Sequence, residues 1–148
     1  MEDAKTQHRQ KIAAQLGGLC GVIVEEKWDP DSDGSMKGLL EVVKEGNLKG
    51  NIRKVLKEKV KGFGDTGVDI FLRRVQGCEG WEGIGWFVDP RTKESLEEVG
   101  LPGDGEQVMK LIEEMGEKDI RRCFQIVSER ALGMGLEGKV AEMKDMLK

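Results

Sequence analysis

The stretch Val60-Lys61-Gly62-Phe63-Gly64-Asp65-Thr66-Gly67-Val68 separates two segments of helical periodicity. Two glycines one residue apart predict a tight turn, because glycine tolerates positive φ and allows another backbone to approach closely. The next helix begins directly after the turn, so its unpaired N–H groups point away from the helix. A helix N-terminus behind a glycine turn is a favourable site for phosphate. Nucleic acid is therefore the first partner that the sequence suggests.

Apolar residues recur at helical spacing along almost the whole chain. We predict an all-α fold, a compact bundle of seven or eight short helices that forms a single domain over residues 1–148. In the predicted third helix Asn51 is the N-cap, and the fourth helix covers about 65–75. These two helices and the glycine turn give a predicted helix-hairpin-helix motif at about 51–76. Further helices are predicted at about 4–27, 90–100, 106–115, 118–132 and 137–147.

Composition excludes several classes of protein. Charged residues make up 35% and hydrophobic residues 38% of the 148 residues, a balance typical of globular proteins. No apolar run approaches the roughly 20 residues of a membrane helix, so no membrane partner is expected. The polar N-terminal stretch lacks a secretory signal, so we expect an intracellular protein, nuclear or cytoplasmic and not secreted. The three cysteines are far apart and His8 is the only histidine, which argues against a metal site or a cofactor.

The basic charge is unevenly distributed. The whole chain has a formal charge of −4, whereas residues 51–76 hold seven Lys or Arg against three Asp or Glu. This segment is therefore basic within an acidic protein, and the excess lies around the glycine turn, where a phosphate contact needs it. A solvated helix face rich in lysine is the alternative interpretation.

Residues 57–68, with Val88-Asp89 downstream, resemble the helix-hairpin-helix DNA glycosylase superfamily of endonuclease III type. The hairpin of that family reads Leu-Pro-Gly-hydrophobic-Gly-x-Lys-Thr-Ala, and Gly62-Phe63-Gly64 matches its glycine core. A divergent branch of the superfamily adds a later Asp-x-Arg-Thr helix and a Leu-Pro turn. Residues 89–92 and 101–102 fit these two features.

The resemblance implies that the hairpin amides hold a phosphate of duplex DNA, with a possible monovalent cation bound at the hairpin. The predicted DNA-binding residues lie on and around the turn: Gly62, Phe63, Gly64, Thr66, Gly67, Lys57, Lys61, Arg73 and Arg74. The resemblance also implies that Asp89 is the catalytic carboxylate of a monofunctional DNA N-glycosylase. Bifunctional members have a Schiff-base lysine where this chain has Thr66, so strand cleavage is not expected. Asp89 is also a suitable N-cap in front of Pro90, and this interpretation stays open.

The resemblance implies that the chain begins partway through the helical bundle of a full glycosylase, so we expect an incomplete pocket for a flipped base. A homodimer formed by helix exchange is one way to complete such a pocket. The competing hypothesis is a non-catalytic domain for protein interaction or self-association, in which the hairpin is vestigial.

Asp29, Asp31 and Asp33 match the first positions of a calcium-binding loop. Lys37 and Leu40 then occupy positions where ligands belong, so an ordinary acidic turn is favoured and calcium binding is the weaker alternative.

Overall fold

The computed structural model describes residues 2–43 and 45–146, and all regular structure within these ranges is helical. The predicted all-α fold of seven or eight helices is therefore confirmed. A short 3-10 helix, Glu82–Ile84, lies between the fourth and fifth α-helices. The α-helices are α1 (Glu2–Glu25), α2 (Lys37–Val43), α3 (Leu48–Lys59), α4 (Asp65–Val75), α5 (Pro90–Glu98), α6 (Gly105–Glu114), α7 (Ile120–Glu137) and α8 (Val140–Met146).

The chain divides into two compact units, residues 1–68 and 69–148, with the boundary inside α4. The first unit contains α1 to α3 and the glycine turn. In the second unit α7 packs against both α5 and α6. The prediction of a single domain stays a prediction. Buried apolar side chains of the first unit include Trp28, Leu39, Val43, Ile52 and Leu56. The buried cluster of the second unit comprises Leu96, Val108, Ile112, Phe124 and Ala131.

Helix α3 begins three residues earlier than its predicted N-cap. Asn47, not Asn51, is the N-cap, and its side chain accepts a hydrogen bond from the Gly50 N–H at 3.1 Å. Asn51 instead donates from Nδ2 to the carbonyl oxygens of Val43 and Glu45, at 3.2 and 2.6 Å. Carbonyls at a helix end need partners from outside the helix, and Asn51 supplies one for α2. The predicted cap was wrong, while α4 has the predicted bounds.

Helix α7 continues past its predicted end at residue 132. Gly138 ends it in a left-handed conformation, with φ of 69°. Gly135, which lies inside the helix, has a packing role, because a Cβ there would lie 2.5 Å from the Ser95 Oγ of α5. The last helix consequently begins at Val140 rather than near residue 137, and its predicted end, Leu147, lies outside the described residues.

Candidate nucleic-acid interface

The turn between α3 and α4 depends on Gly62. This residue has φ of 84°, in the left-handed region that favours glycine. The Phe63 N–H donates to the Val60 carbonyl at 3.2 Å and closes the turn. The Gln15 side chain of α1 lies against Gly62, since a Cβ there would be 2.7 Å from Gln15 Nε2. Gly64 is outside the left-handed region and a Cβ there would meet no atom within 4 Å, so only one of the two glycines is required.

The turn faces solvent at the start of α4. Gly62, Gly64 and Thr66 are exposed, and Phe63 and Gly67 are half-buried. The Phe63 ring packs on Gly67, where a Cβ would lie 3.4 Å from Phe63 Cε1. The first hydrogen bond of α4 runs from the Val68 N–H to the Gly64 carbonyl at 3.1 Å. The N–H groups of residues 65–67 precede that bond and have no acceptor within the helix.

A carboxylate lies at the same helix end and was not singled out by sequence reasoning. Asp65 is the first residue of α4, and its Oδ1 accepts hydrogen bonds from Arg53 Nη1 at 3.0 Å and Lys57 Nζ at 3.1 Å. These contacts, Lys57 first and Arg53 second, lower the pKa of Asp65 below its ordinary value of 3.8. The four-residue spacing of Arg53 and Lys57 on α3 was the available signal that one acid could bind both.

The lysines of the basic segment differ in whether a carboxylate pairs with them. Lys61 and Lys54 are exposed and make no ion pair with a described residue. Lys57 is held by Asp65, and Lys59 lies 3.1 Å from Glu26 Oε1. Of the four lysines at positions 54, 57, 59 and 61, Lys54 and Lys61 are therefore the two that are not held by a carboxylate of a described residue.

The two predicted arginines of α4 have different environments. Arg73 is 6% exposed and its guanidinium is used inside the second unit. Its Nε lies 2.9 Å from Glu129 Oε1, and its Nη1 lies 3.3 Å from Asp89 Oδ1. These pairings withdraw Arg73 from solvent, so it does not present its charge to a phosphate. Arg74 is mostly exposed and lies 3.5 Å from the same oxygen of Glu129. Its role in DNA binding stays a prediction.

Asp89 is buried, with 3% of its surface exposed, and its carboxylate turns back onto α5. One oxygen accepts the Thr92 N–H at 3.3 Å, which makes Asp89 the N-cap in front of Pro90. The other oxygen accepts the Thr92 hydroxyl and one guanidinium N–H of Arg73. The interpretation of Asp89 as an N-cap is confirmed. Its catalytic role stays a prediction. Both carboxylate oxygens of Asp89 already accept hydrogen bonds, from Thr92 and Arg73.

The side chains of the three aspartates proposed as calcium ligands make hydrogen bonds or ion pairs with residues of the same loop or the start of α2. Asp29 Oδ2 accepts the Gly34 N–H at 3.0 Å, and Asp33 Oδ1 accepts the Ser35 N–H at 2.9 Å. The hydrogen bonds from Ser35 lower the pKa of Asp33. Asp31 pairs with Lys37 at 3.5 Å. Within residues 2–43 and 45–146, no three His, Cys, Asp or Glu side chains are grouped so that they could hold a metal ion.

An apolar groove of about 180 Å³ runs between α1 and the glycine turn. Gln15 and Gly62 form part of the lining, together with Lys61. Its apolar lining consists of Ile12, Leu16, Leu19, Val60 and Phe63. Residues 12–19 of α1 therefore lie next to the glycine turn within the first unit.

Comparison of the chain with protein-family models, curated proteins and solved structures finds no match. The resemblance to helix-hairpin-helix glycosylases therefore rests on the residues quoted from the sequence and stays a prediction. Among the described helices, none combines the length and the apolar character that crossing a membrane requires.

Proposed function

We propose that the turn at residues 61–66 binds the phosphate backbone of duplex DNA without reading base sequence. The observation that carries this proposal is the left-handed turn at Gly62, which leads directly into the exposed N-terminus of the 11-residue helix α4. Such a helix end attracts an anion through its N–H groups and its dipole. The exposed Lys61 adds positive charge within the turn, and the exposed Lys54 of α3 adds to the basic charge of the same segment.

Binding of this kind positions a protein on DNA but carries no sequence information. The affinity falls as salt rises, because the bound lysines release condensed counterions. We also propose that the turn can hold a monovalent cation. The proposed location of the protein is intracellular, either nuclear or cytoplasmic. We limit it to binding, because the oxygens of Asp89 are buried and engaged by Thr92 and Arg73. Cleavage of an N-glycosidic bond stays a prediction.

The proposal is tested with fluorescence anisotropy on a labelled duplex of about 20 base pairs, at about 50 and about 200 mM salt. Lys61→Ala removes a charge beside the turn, and Lys110→Ala removes the same charge from an exposed position on α6. We expect Lys61→Ala to weaken binding about fivefold and to reduce the salt slope by about one. Lys110→Ala is expected to change the affinity less than about twofold. Equal effects of the two substitutions, or no binding of the wild type at the lower salt, would contradict the proposal.

A second candidate function is self-association through α1, which includes a homodimer formed by helix exchange. In the second half of this helix, from residue 13 to residue 24, one face is uncharged and exposed, with Leu16 at 56% and Val24 at 76%. Ala13, Gly17 and Cys20 lie on the same face and are also exposed. Exposed apolar surface of this kind is typical of protein contacts.

Light scattering across a hundredfold range of concentration tests this candidate. Leu16→Glu places a charge on the apolar face, and Lys11→Glu, at an exposed position of the same helix, is the matched control. We expect a concentration-dependent dimer for the wild type and for Lys11→Glu, and a monomer for Leu16→Glu. A wild-type monomer at every concentration would reject self-association.

A further inference from the structure

Asp65 lies where the proposed phosphate would bind, because it is the first residue of α4. Its Oδ1 accepts from Arg53 Nη1 at 3.0 Å and from Lys57 Nζ at 3.1 Å. A second contact, from Arg53 Nη1 to the Asp65 carbonyl at 3.5 Å, places the guanidinium against the start of the helix. The side chain of Asp65 thus binds two cationic side chains of α3 at the start of α4.

We propose that Asp65 is an internal competitor for DNA phosphate, whose carboxylate occupies Arg53 and Lys57 and thereby limits the affinity of the turn for a duplex. This inference rests on the proposed function and concerns the same site. It identifies Asp65 as a residue that sets affinity and not as a ligand of DNA.

The competition follows from the chemistry of the two anions. Carboxylate and phosphate oxygens both accept charge-assisted hydrogen bonds from Arg and Lys. Both are also favoured at a helix N-terminus, where the dipole is positive. A phosphate that approaches the amides of residues 65–67 therefore meets a like charge and two cations that already have a partner. It binds well only if the carboxylate turns away and releases Arg53 and Lys57.

The exposure of the three side chains makes this exchange feasible. Asp65 is 65% exposed, Lys57 is 43% exposed and Arg53 is 34% exposed. Ion pairs at such positions are weak and contribute little to stability, because water solvates the separated charges well. The contact can therefore open without unfolding of the turn. The lowered pKa of Asp65 means that the carboxylate stays charged at neutral pH, so the competition persists there.

The test compares two variants that remove the same negative charge. Asp65→Asn abolishes the competing carboxylate, and Glu58→Gln neutralises an exposed acid of α3. With the duplex of about 20 base pairs at about 50 mM salt, we expect Asp65→Asn to tighten binding about fivefold. Its salt slope is expected to steepen by about one, because Lys57 loses the carboxylate that holds it and can contact phosphate. Glu58→Gln is expected to change the affinity less than about twofold. Circular dichroism checks that both variants keep the helical content of the wild type.

A third measurement places Asp65→Asn in an Arg53→Ala, Lys57→Ala background. There we expect no gain in affinity, because the two cations that the carboxylate occupies are absent. Equal gains for Asp65→Asn and Glu58→Gln, or a persistent gain in that background, would mean a general charge effect and overturn the inference. The proposed function would stand in that case, since the wild type binds. If neither the wild type nor Asp65→Asn binds the duplex, both the inference and the proposed function are rejected.

Discussion

Arg73 and Asp89 form an ion pair inside the second unit, with Nη1 and Oδ1 3.3 Å apart and side chains only 7% and 4% exposed. Thr92 adds a hydroxyl and an N–H to the same carboxylate, and Glu129 takes the Nε of the arginine at 2.9 Å. The network therefore connects α4, α5 and α7. Burial of charged groups is tolerated when each has partners, as is the case here.

Removal of the Asp89 carboxylate is expected to destabilise the protein. Asp89→Ala deletes the N-cap of α5 and one of the two anions around a buried guanidinium. We expect the free energy of unfolding to fall by about 3 kcal/mol, measured by urea denaturation. Asp89→Asn is the matched variant, because asparagine also caps helices but has no charge, and a smaller loss is expected. An unchanged urea midpoint for Asp89→Ala would contradict this structural role of the carboxylate.

The second prediction concerns Arg121, which fixes the loop between α4 and α5. Its guanidinium lies 4.5 Å from the centre of the Trp86 ring. It also donates to the carbonyl oxygens of Gln76, Glu82 and Gly85, at 3.2, 3.1 and 3.3 Å. Arg121→Ala removes all four interactions, and we expect a loss of about 2 to 4 kcal/mol in the free energy of unfolding.

Arg121→Lys separates the geometry of this interaction from its charge. Lysine keeps the positive charge but lacks the planar fork that reaches several carbonyls at once. We expect most of the loss to remain, with unfolding followed by tryptophan fluorescence in urea. Full stability of Arg121→Lys would show that the charge alone matters.

A third prediction follows from Ser128, which is completely buried on α7. Its Oγ has no hydrogen-bond partner among the described residues. A buried hydroxyl without a partner costs free energy, so Ser128→Ala is expected to leave stability unchanged or raise it by up to about 1 kcal/mol. Thr92→Val is the contrasting variant, because its equally buried hydroxyl donates to Asp89. Its expected loss is about 2 kcal/mol. Similar losses for both in urea denaturation would mean that Ser128 does have a partner.

The two glycines of the turn are expected to respond differently to substitution. Gly62→Ala forces a side chain into a left-handed conformation and against Gln15, so we expect a loss of about 1 to 2 kcal/mol. Gly64 directly precedes α4 and has open space around it. Serine is a good N-cap, so Gly64→Ser is expected to change stability by less than about 0.5 kcal/mol. Thermal unfolding of the two variants measures the difference, and equal losses would contradict the assigned geometry.

Apolar spacing and capping residues predicted the helices whose positions depend on residues close together in the sequence. The apolar residues of α4 at positions 68, 71, 72 and 75 recur at helical spacing; three of them are buried, and Phe71 is half-buried. Asp89 followed by Pro90 combines a capping side chain with a residue suited to the first helical turn, and α5 begins there. By contrast, Asn47 and Asn51 have the same capping propensity, so sequence alone did not decide which of them begins α3.

The sequence by itself determined that this protein is helical and that a glycine turn leads into α4, because hydrophobic period, caps and positive φ act within a few residues. Only the tertiary structure decided which charges near that turn are available. Arg73 is paired with residues 16 and 56 positions away, and Asp65 binds cations from the preceding helix. Such pairings depend on how helices pack in space, and the spacing of charges along the chain does not specify them.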